Sequence, residues 1–329
     1  MKWKWVILFI AILFAGAGIL FWFLNIKSSS IVSPVVNRIL EKPLDKYTIE
    51  NLGKRSYQSE IILDEPTATT SAYTTYLFHF DSDGKKVAGV AYVPLKCGQR
   101  PCPVIAQFRG FADVRTYFPG QGIQRSAQVF AKNGFISLAP DFLGYGGSDN
   151  PSDNVFEARF ETYTTALNML AGVNHWSRSN GKVGIWGHSN GGQISLTILE
   201  ILGEKGQGYP TVLWAPVSMP FPYSILFFTD EADDKGKALR KELADFERDY
   251  DVFNYDLTRN LDKINSPLQI HQGTADDSMP KKWGDELVTN LKMANKDVKY
   301  FVYPGADHNM VGSWGTVVTK DVEFFRKNL

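Results

Sequence analysis

The chain has little cysteine, no surplus of either charge and no internal repeat, and each shortage removes a class of protein. Two cysteines in 329 residues exclude a disulfide-dense scaffold and a cysteine-built zinc module. Lysine plus arginine equals aspartate plus glutamate at 35 each, so no net field recruits nucleic acid or an acidic polymer. No repeat recurs at the ~40–50-residue period of propeller blades. The glycine-rich run Gly144-Tyr145-Gly146-Gly147 lacks the Gly-Lys-Ser/Thr ending of a phosphate-binding loop. Histidine is also scarce, at five, which leaves few candidates for imidazole chemistry.

Long apolar runs are confined to the N-terminus. Trp5 to Leu24 contains no charged residue, and about 20 helical residues at 1.5 Å each span a ~30 Å hydrocarbon core. Trp3, Trp5 and Trp22 suit the membrane interfaces. A cleaved signal peptide is the alternative, but Ile19 to Leu24 would be an unfavourable start for a mature chain. Lys2 and Lys4 precede the run while Lys27 alone closely follows it. The expectation is a single-pass anchor, residues 1–26, with the N-terminus cytoplasmic and the remainder extracytoplasmic. A serine- and proline-containing linker, 27–46, leads to one large domain, 47–329. Outside a reducing cytosol, Cys97 and Cys102 are expected to close a small disulfide loop.

Within the domain the 44% apolar content permits a substantial core. Strand-like alternation starts near Ser59 to Leu63, followed by a hairpin, Ala72 to Phe80 and Lys86 to Val93, around Asp81-Ser82-Asp83-Gly84. Short apolar runs at Val104–Phe108, Phe135–Ala139, Val183–Trp186, Thr211–Ala215, Leu268–Gly273 and Val298–Tyr303 alternate with helical patterns, which predicts a parallel sheet with helices on both faces. The stretch between the strands at 211 and 268 is far longer than a connection needs. It reads as a helical lid, about 217–265, with a charged helix at Lys235 to Tyr250. Tyr223 and Phe227 are the expected substrate-pocket residues in it.

Gly187-His188-Ser189-Asn190-Gly191 lies between a strand and a helix, the setting in which Gly-x-Ser-x-Gly makes a sharp turn that exposes a nucleophilic serine. Serine needs a base, and the base needs an orienting acid; in this arrangement both follow the serine, acid first. His79 and His175 precede Ser189. His188 adjoins it, and strand geometry points its side chain the other way. His271 falls inside a buried strand and reads as a core histidine. His308 follows the last strand on a loop, where open α/β sheets keep their chemistry. Asp276, with its neighbour Asp277 as the alternative, sits at the end of the preceding strand; the second aspartate is expected to cap the next helix. The backbone amides of Asn190 and Phe111 are the candidate oxyanion donors. Arg109, before Phe111, is expected to pair with Asp141 or Asp113.

Gly187 to Gly192, Gly273-Thr274-Ala275-Asp276-Asp277 and Gly305-Ala306-Asp307-His308-Asn309 together resemble the catalytic domain of the prolyl oligopeptidase-type serine hydrolases. The likeness runs from about Lys85 to the C-terminus. It implies an α/β-hydrolase fold and a triad whose acid is the first aspartate of the pair, about thirty residues before the histidine, as Asp276 and His308 stand. Two features depart from the family: Arg109 replaces the usual histidine before glycine, and no propeller is encoded. The function expected is ester or peptide cleavage through an acyl-enzyme on Ser189, with esters slightly favoured and a peptidase for short peptides as the alternative. A binding module that kept the fold without catalysis is the reading from another class. Small esters or short peptides and a lipid bilayer are the expected partners, with no nucleic acid, no metal and no cofactor.

Overall fold

The computed structural model describes residues 42–329 with the exception of 99, 230 and 231. The expected anchor, and the linker up to residue 41, lie outside the described residues, among which no helix is long and apolar enough to cross a membrane. Pro43–Tyr47, at the linker's end, forms a 3-10 turn.

Among the described residues, nine strands form one sheet. They are β1 (Ile62–Thr69), β2 (Tyr73–Ser82), β3 (Lys85–Pro94), β4 (Cys102–Phe108), β5 (Ile136–Pro140), β6 (Ser179–His188), β7 (Thr211–Trp214), β8 (Leu268–Gly273) and β9 (Val298–Tyr303). Their spatial order is β1-β2-β3-β5-β4-β6-β7-β8-β9. The first three pair antiparallel, as does β3 with β5, and every pair from β5 to β9 is parallel. Asp83 and Gly84, both at positive φ, turn β2 into β3 with the twist a tight hairpin prefers. Cys97 and Cys102 are joined as a disulfide, with Cα atoms 5.6 Å apart, just where the chain enters β4.

The period of two along the central strands divides their side chains between two cores. Val104, Ala106 and Phe108, with Ile185 and Leu213, face one side together with helices α1 (Ile49–Lys54), α3 (Val155–His175) and α4 (Asn190–Leu202). Ile105, Trp186, Val212 and Trp214 face the other, against α2 (Gln124–Lys132) and the C-terminal helix α8 (Trp314–Asn328). Apolar on both faces, such strands read as continuous hydrophobic runs rather than alternating ones. Asn154 caps α3 by accepting from the amides of Phe156 and Glu157, which fixes where that helix begins.

The insertion between β7 and β8 contains the short helix α5 (Tyr223–Leu226) and α6 (Lys237–Asp249), followed by 3-10 turns. Phe221, Phe246 and Tyr255 pack with Phe156 and Phe160 of α3 at ring separations of 4.8–6.3 Å. That aromatic cluster holds the insertion to the body of the domain. Helix α7 (Lys281–Met293) then leads to β9.

Candidate active site

The chain passes from β4 to β5 on one side of the sheet and then to β6 on the other. Loops leaving β4 and β6 therefore diverge at their carboxyl ends, which is where a crevice opens in sheets of this kind. Phe108 and Gly187 are level in the register, so the loop at Gly110 and the turn at Ser189 meet side by side. A β-carbon on Gly110 would lie 3.0 Å from that of Ser189. One on Gly191 would lie 1.9 Å from the Phe108 carbonyl oxygen, a distance only glycine permits.

Ser189 has φ 55° and ψ −119°, a strained conformation costing on the order of 1–3 kcal/mol. The surroundings impose it: the Ser189 amide donates to Trp214 O at 2.9 Å, and Ser189 O accepts from Gly192 and Val217 at 2.9 and 3.0 Å. Its side chain does not cap α4, which leaves the hydroxyl to the cavity. Asn190 is the first residue of α4, so its N–H has no acceptor within the helix. Asn190, Phe111, Ser189 and His308 line one cavity of about 760 Å³.

His308 Nδ1 stands 2.9 Å from Asp276 Oδ2, and the aspartate side chain is fully buried. Oδ2 also accepts from Gln272 Nε2 at 3.2 Å, while Oδ1 accepts from the amides of Ser278 and Met279 at 3.1 and 2.7 Å. The loops carrying these two residues are tied to each other: Ala275 N donates to Ala306 O at 3.0 Å, and Gly305 N to Thr274 Oγ1 at 2.8 Å. With Nδ1 engaged, the other ring nitrogen of His308 is the one left to serve the cavity.

Several expectations are corrected here. Asp277 does not cap the next helix; it is exposed, and Pro280 occupies the cap position. Asp276 divides its oxygens, Oδ1 closing the turn at Ser278 and Met279 and Oδ2 facing the His308 ring. Arg109 forms no ion pair with Asp141 or Asp113. Asp141 Oδ1 is taken by Tyr117 OH at 2.5 Å and Gly120 N at 3.2 Å, and Asp113 by Arg115. Arg109 instead donates to the carbonyls of Gly110 and Asp141 at 2.9 and 3.0 Å and packs against the rings of Tyr117 and Tyr145. It thereby stiffens the loop that carries Phe111. Tyr223 and Phe227 turn away from the cavity and pack against Trp283. Ser224, Ile225 and Phe228 line it instead, because positions three or four apart share a helical face. The pocket signal lay in the right segment but on the wrong side of it.

His188 is the residue the sequence concealed. Its ring lies 4.6 Å from that of His308, and its Nε2 is 3.0 Å from His308 O. At the last position of a strand, loops arriving over the sheet edge can reach either side, so strand alternation did not separate the two rings. Burial, and then the neighbouring His308, push the His188 imidazole down to about 4, so it is neutral near pH 7. His271, by contrast, is fully buried and hydrogen-bonds Asp321 and Tyr303 at 3.0 and 2.8 Å, away from Ser189.

The model of the prolyl oligopeptidase family matches residues 122–329. An uncharacterized peptidase of Bacillus subtilis (strain 168), YtmA, is 23% identical over 239 residues, covering 71% of this chain and 85% of that protein. Among solved structures, an acetyl xylan esterase from Paenibacillus sp. R4 superposes with a TM-score of 0.64 at 15% identity, covering 84% of this chain and 91% of that one. Acetyl xylan esterase 1 from Thermoanaerobacterium sp. JW/SL YS485 gives 0.62 at 17%, covering 86% and 94%.

Proposed function

Because the chain belongs to the prolyl oligopeptidase family and is a serine hydrolase of the α/β-hydrolase type, we propose that it cleaves esters of small or medium acids through an acyl-enzyme on Ser189. Ser189 Oγ attacks the carbonyl carbon while His308 takes its proton. Asp276 accepts the Nδ1–H, holds the imidazole in one tautomer and stabilises the imidazolium. The amides of Asn190 and Phe111 receive the oxyanion, each such donor contributing about 3–4 kcal/mol to the transition state. His308 returns the proton to the leaving oxygen, and water then repeats the sequence on the acyl-enzyme. The observation that carries this reading is the 2.9 Å bond between His308 and Asp276, made beside the cavity that Ser189 lines.

Ester and peptide cleavage share this chemistry. Two neighbours of the same fold are named as acetyl xylan esterases, which supports esters. The family match and the relative named as a peptidase favour short peptides as the second reading. Turnover of p-nitrophenyl acyl esters of graded length, set against aminoacyl-naphthylamides, separates them: brisk peptide cleavage with no ester turnover overturns the preference. A fluorophosphonate probe should label the wild type and not Ser189→Ala.

The proposal extends to location. The run Trp5 to Leu24, with Lys2 and Lys4 before it, supports a single-pass anchor with the N-terminus cytoplasmic and the hydrolase outside. The disulfide between Cys97 and Cys102 is consistent with an oxidising compartment.

A further inference from the structure

Two guanidinium groups, those of Arg109 and Arg159, line the cavity that holds Ser189, and no aspartate or glutamate is among the described residues lining it. Arginine stays charged at any working pH, so this wall of the cavity is positive. The two arginines differ in how far their donors are used. Arg109 is spent on two carbonyls and two tyrosine rings and acts within its own loop. Arg159, on α3, gives Nη2 to Gln193 Oε1 at 2.5 Å, while its Nε is buried without a partner. The acids on its own helix are engaged elsewhere, Glu157 with Lys46 and Glu161 with Lys85.

Gln193 lies one helical turn after Asn190, so Arg159 stands beside the end of α4 that follows the nucleophile. It also lines an adjoining cavity of about 290 Å³ with Phe142, Leu143, Tyr163 and Ile194. A half-buried cation with idle donors on partly apolar walls is unfavourable unless something negative reaches it. A carboxylate fits best, because its two oxygens match the guanidinium fork.

Resting on the serine-hydrolase reading above, we propose that the substrate carries a carboxylate near its scissile carbonyl and that Arg159 binds it. Two substrate types supply that chemistry: a half-ester of a dicarboxylic acid, and a short peptide with a free C-terminus. The p-nitrophenyl half-ester of glutaric acid is compared with neutral p-nitrophenyl pentanoate, and peptides with free C-termini are compared with their amides. In the wild type kcat/KM favours the anionic member of the relevant pair by about tenfold or more, the size of one charged hydrogen-bonding contact. Arg159→Gln collapses that ratio, chiefly through KM, and Arg159→Lys retains part of it. A wild-type ratio of one or below in both pairs overturns the proposal, as does a ratio that Arg159→Gln leaves unmoved. Binding is read without turnover by calorimetry of Ser189→Ala with glutaric acid monoamide against pentanamide. Heat with the acid alone, lost when Arg159→Gln is added, supports the assignment; no heat overturns it. Fluorophosphonate labelling of the wild type judges the hydrolase reading separately.

Discussion

Asp276 serves two structures at once, and this makes it sensitive to a change as small as one atom. Oδ1 closes the turn at Ser278 and Met279, and Oδ2 faces the His308 ring. Asparagine at 276 can keep the turn yet offers an N–H where the imidazole needs an acceptor, which favours the wrong tautomer. Asp276→Asn should lower kcat by about 10³–10⁴-fold, the scale seen when a triad aspartate is amidated. Asp277→Asn, at an exposed side chain, should leave kcat within about twofold. Equal losses would assign the acid wrongly. His188 gives a different residue-scale test. Its folded-state pKa of about 4 lies below the ~6.5 of a free imidazole, so the unfolded chain takes up the proton first as pH falls. The stability held by the neutral ring is intact above about 6.5 and is lost progressively until pH passes about 4. The total is on the order of 3 kcal/mol. Thermal unfolding between pH 4 and 7 should therefore show a shallower pH slope in His188→Asn than in the wild type. Parallel slopes would show that the ring is already solvated.

Helix α4 is buried from Gly191 to Ile201, and its mostly apolar residues suit that placement. Glu200 is its one charged residue. It is 1% exposed, and neither carboxylate oxygen has a partner. Burial, followed by Asp256, raises its pKa well above the usual range, with Lys263 opposing and Asp262 adding to the rise. The unfolded chain ionises first, so stability from this group is full below a carboxylate's ordinary pKa of about 4.3 and falls as pH climbs towards the raised folded value. Glu200→Met, close in volume, should stabilise the domain by about 1–3 kcal/mol near pH 7 and flatten the decline between pH 5 and 8. Denaturant unfolding at the two pH values checks this, and destabilisation by the methionine would show a hidden partner. Such an unpaired buried carboxyl group leaves no trace in sequence, because the helical pattern shows only that position 200 lies on a long apolar element. The strands were legible for the opposite reason. Their cores are continuous Val, Ile, Leu and aromatic runs bounded by turn residues, so β8 and β9 matched their expected limits and the others shifted mostly at their ends. The short loops carrying Asp276 and His308 inherited that accuracy. The insertion did not, since which face of a four-residue helix meets a cavity depends on packing against Trp283, a residue some sixty positions away in the chain.

At the scale of the whole molecule, the remaining question is which compartment the hydrolase works in, and the sulfur pair connects it to stability. The disulfide closes a loop between the 3-10 turn after β3 and the first residue of β4. In the chain-entropy account so small a loop contributes about 2 kcal/mol by restricting the unfolded chain. Reduction should therefore lower the unfolding midpoint without altering the site, because the pair sits at the start of β4 and the site at its other end. In a reducing cytosol the bond would not persist; beyond the membrane it would. Maleimide added to denatured lysate of whole cells should find no free thiol unless a reductant is supplied first. Protease added to cells whose outer layers have been opened, with the inner membrane intact, should digest the hydrolase domain while a cytosolic marker survives. The protein should also stay in the membrane pellet after an alkaline wash, and deletion of residues 2–26 should release it. Free thiols together with protection from protease would put the domain on the cytosolic side, and the positive-inside argument from Lys2 and Lys4 would then fail by the one or two charges on which it rests.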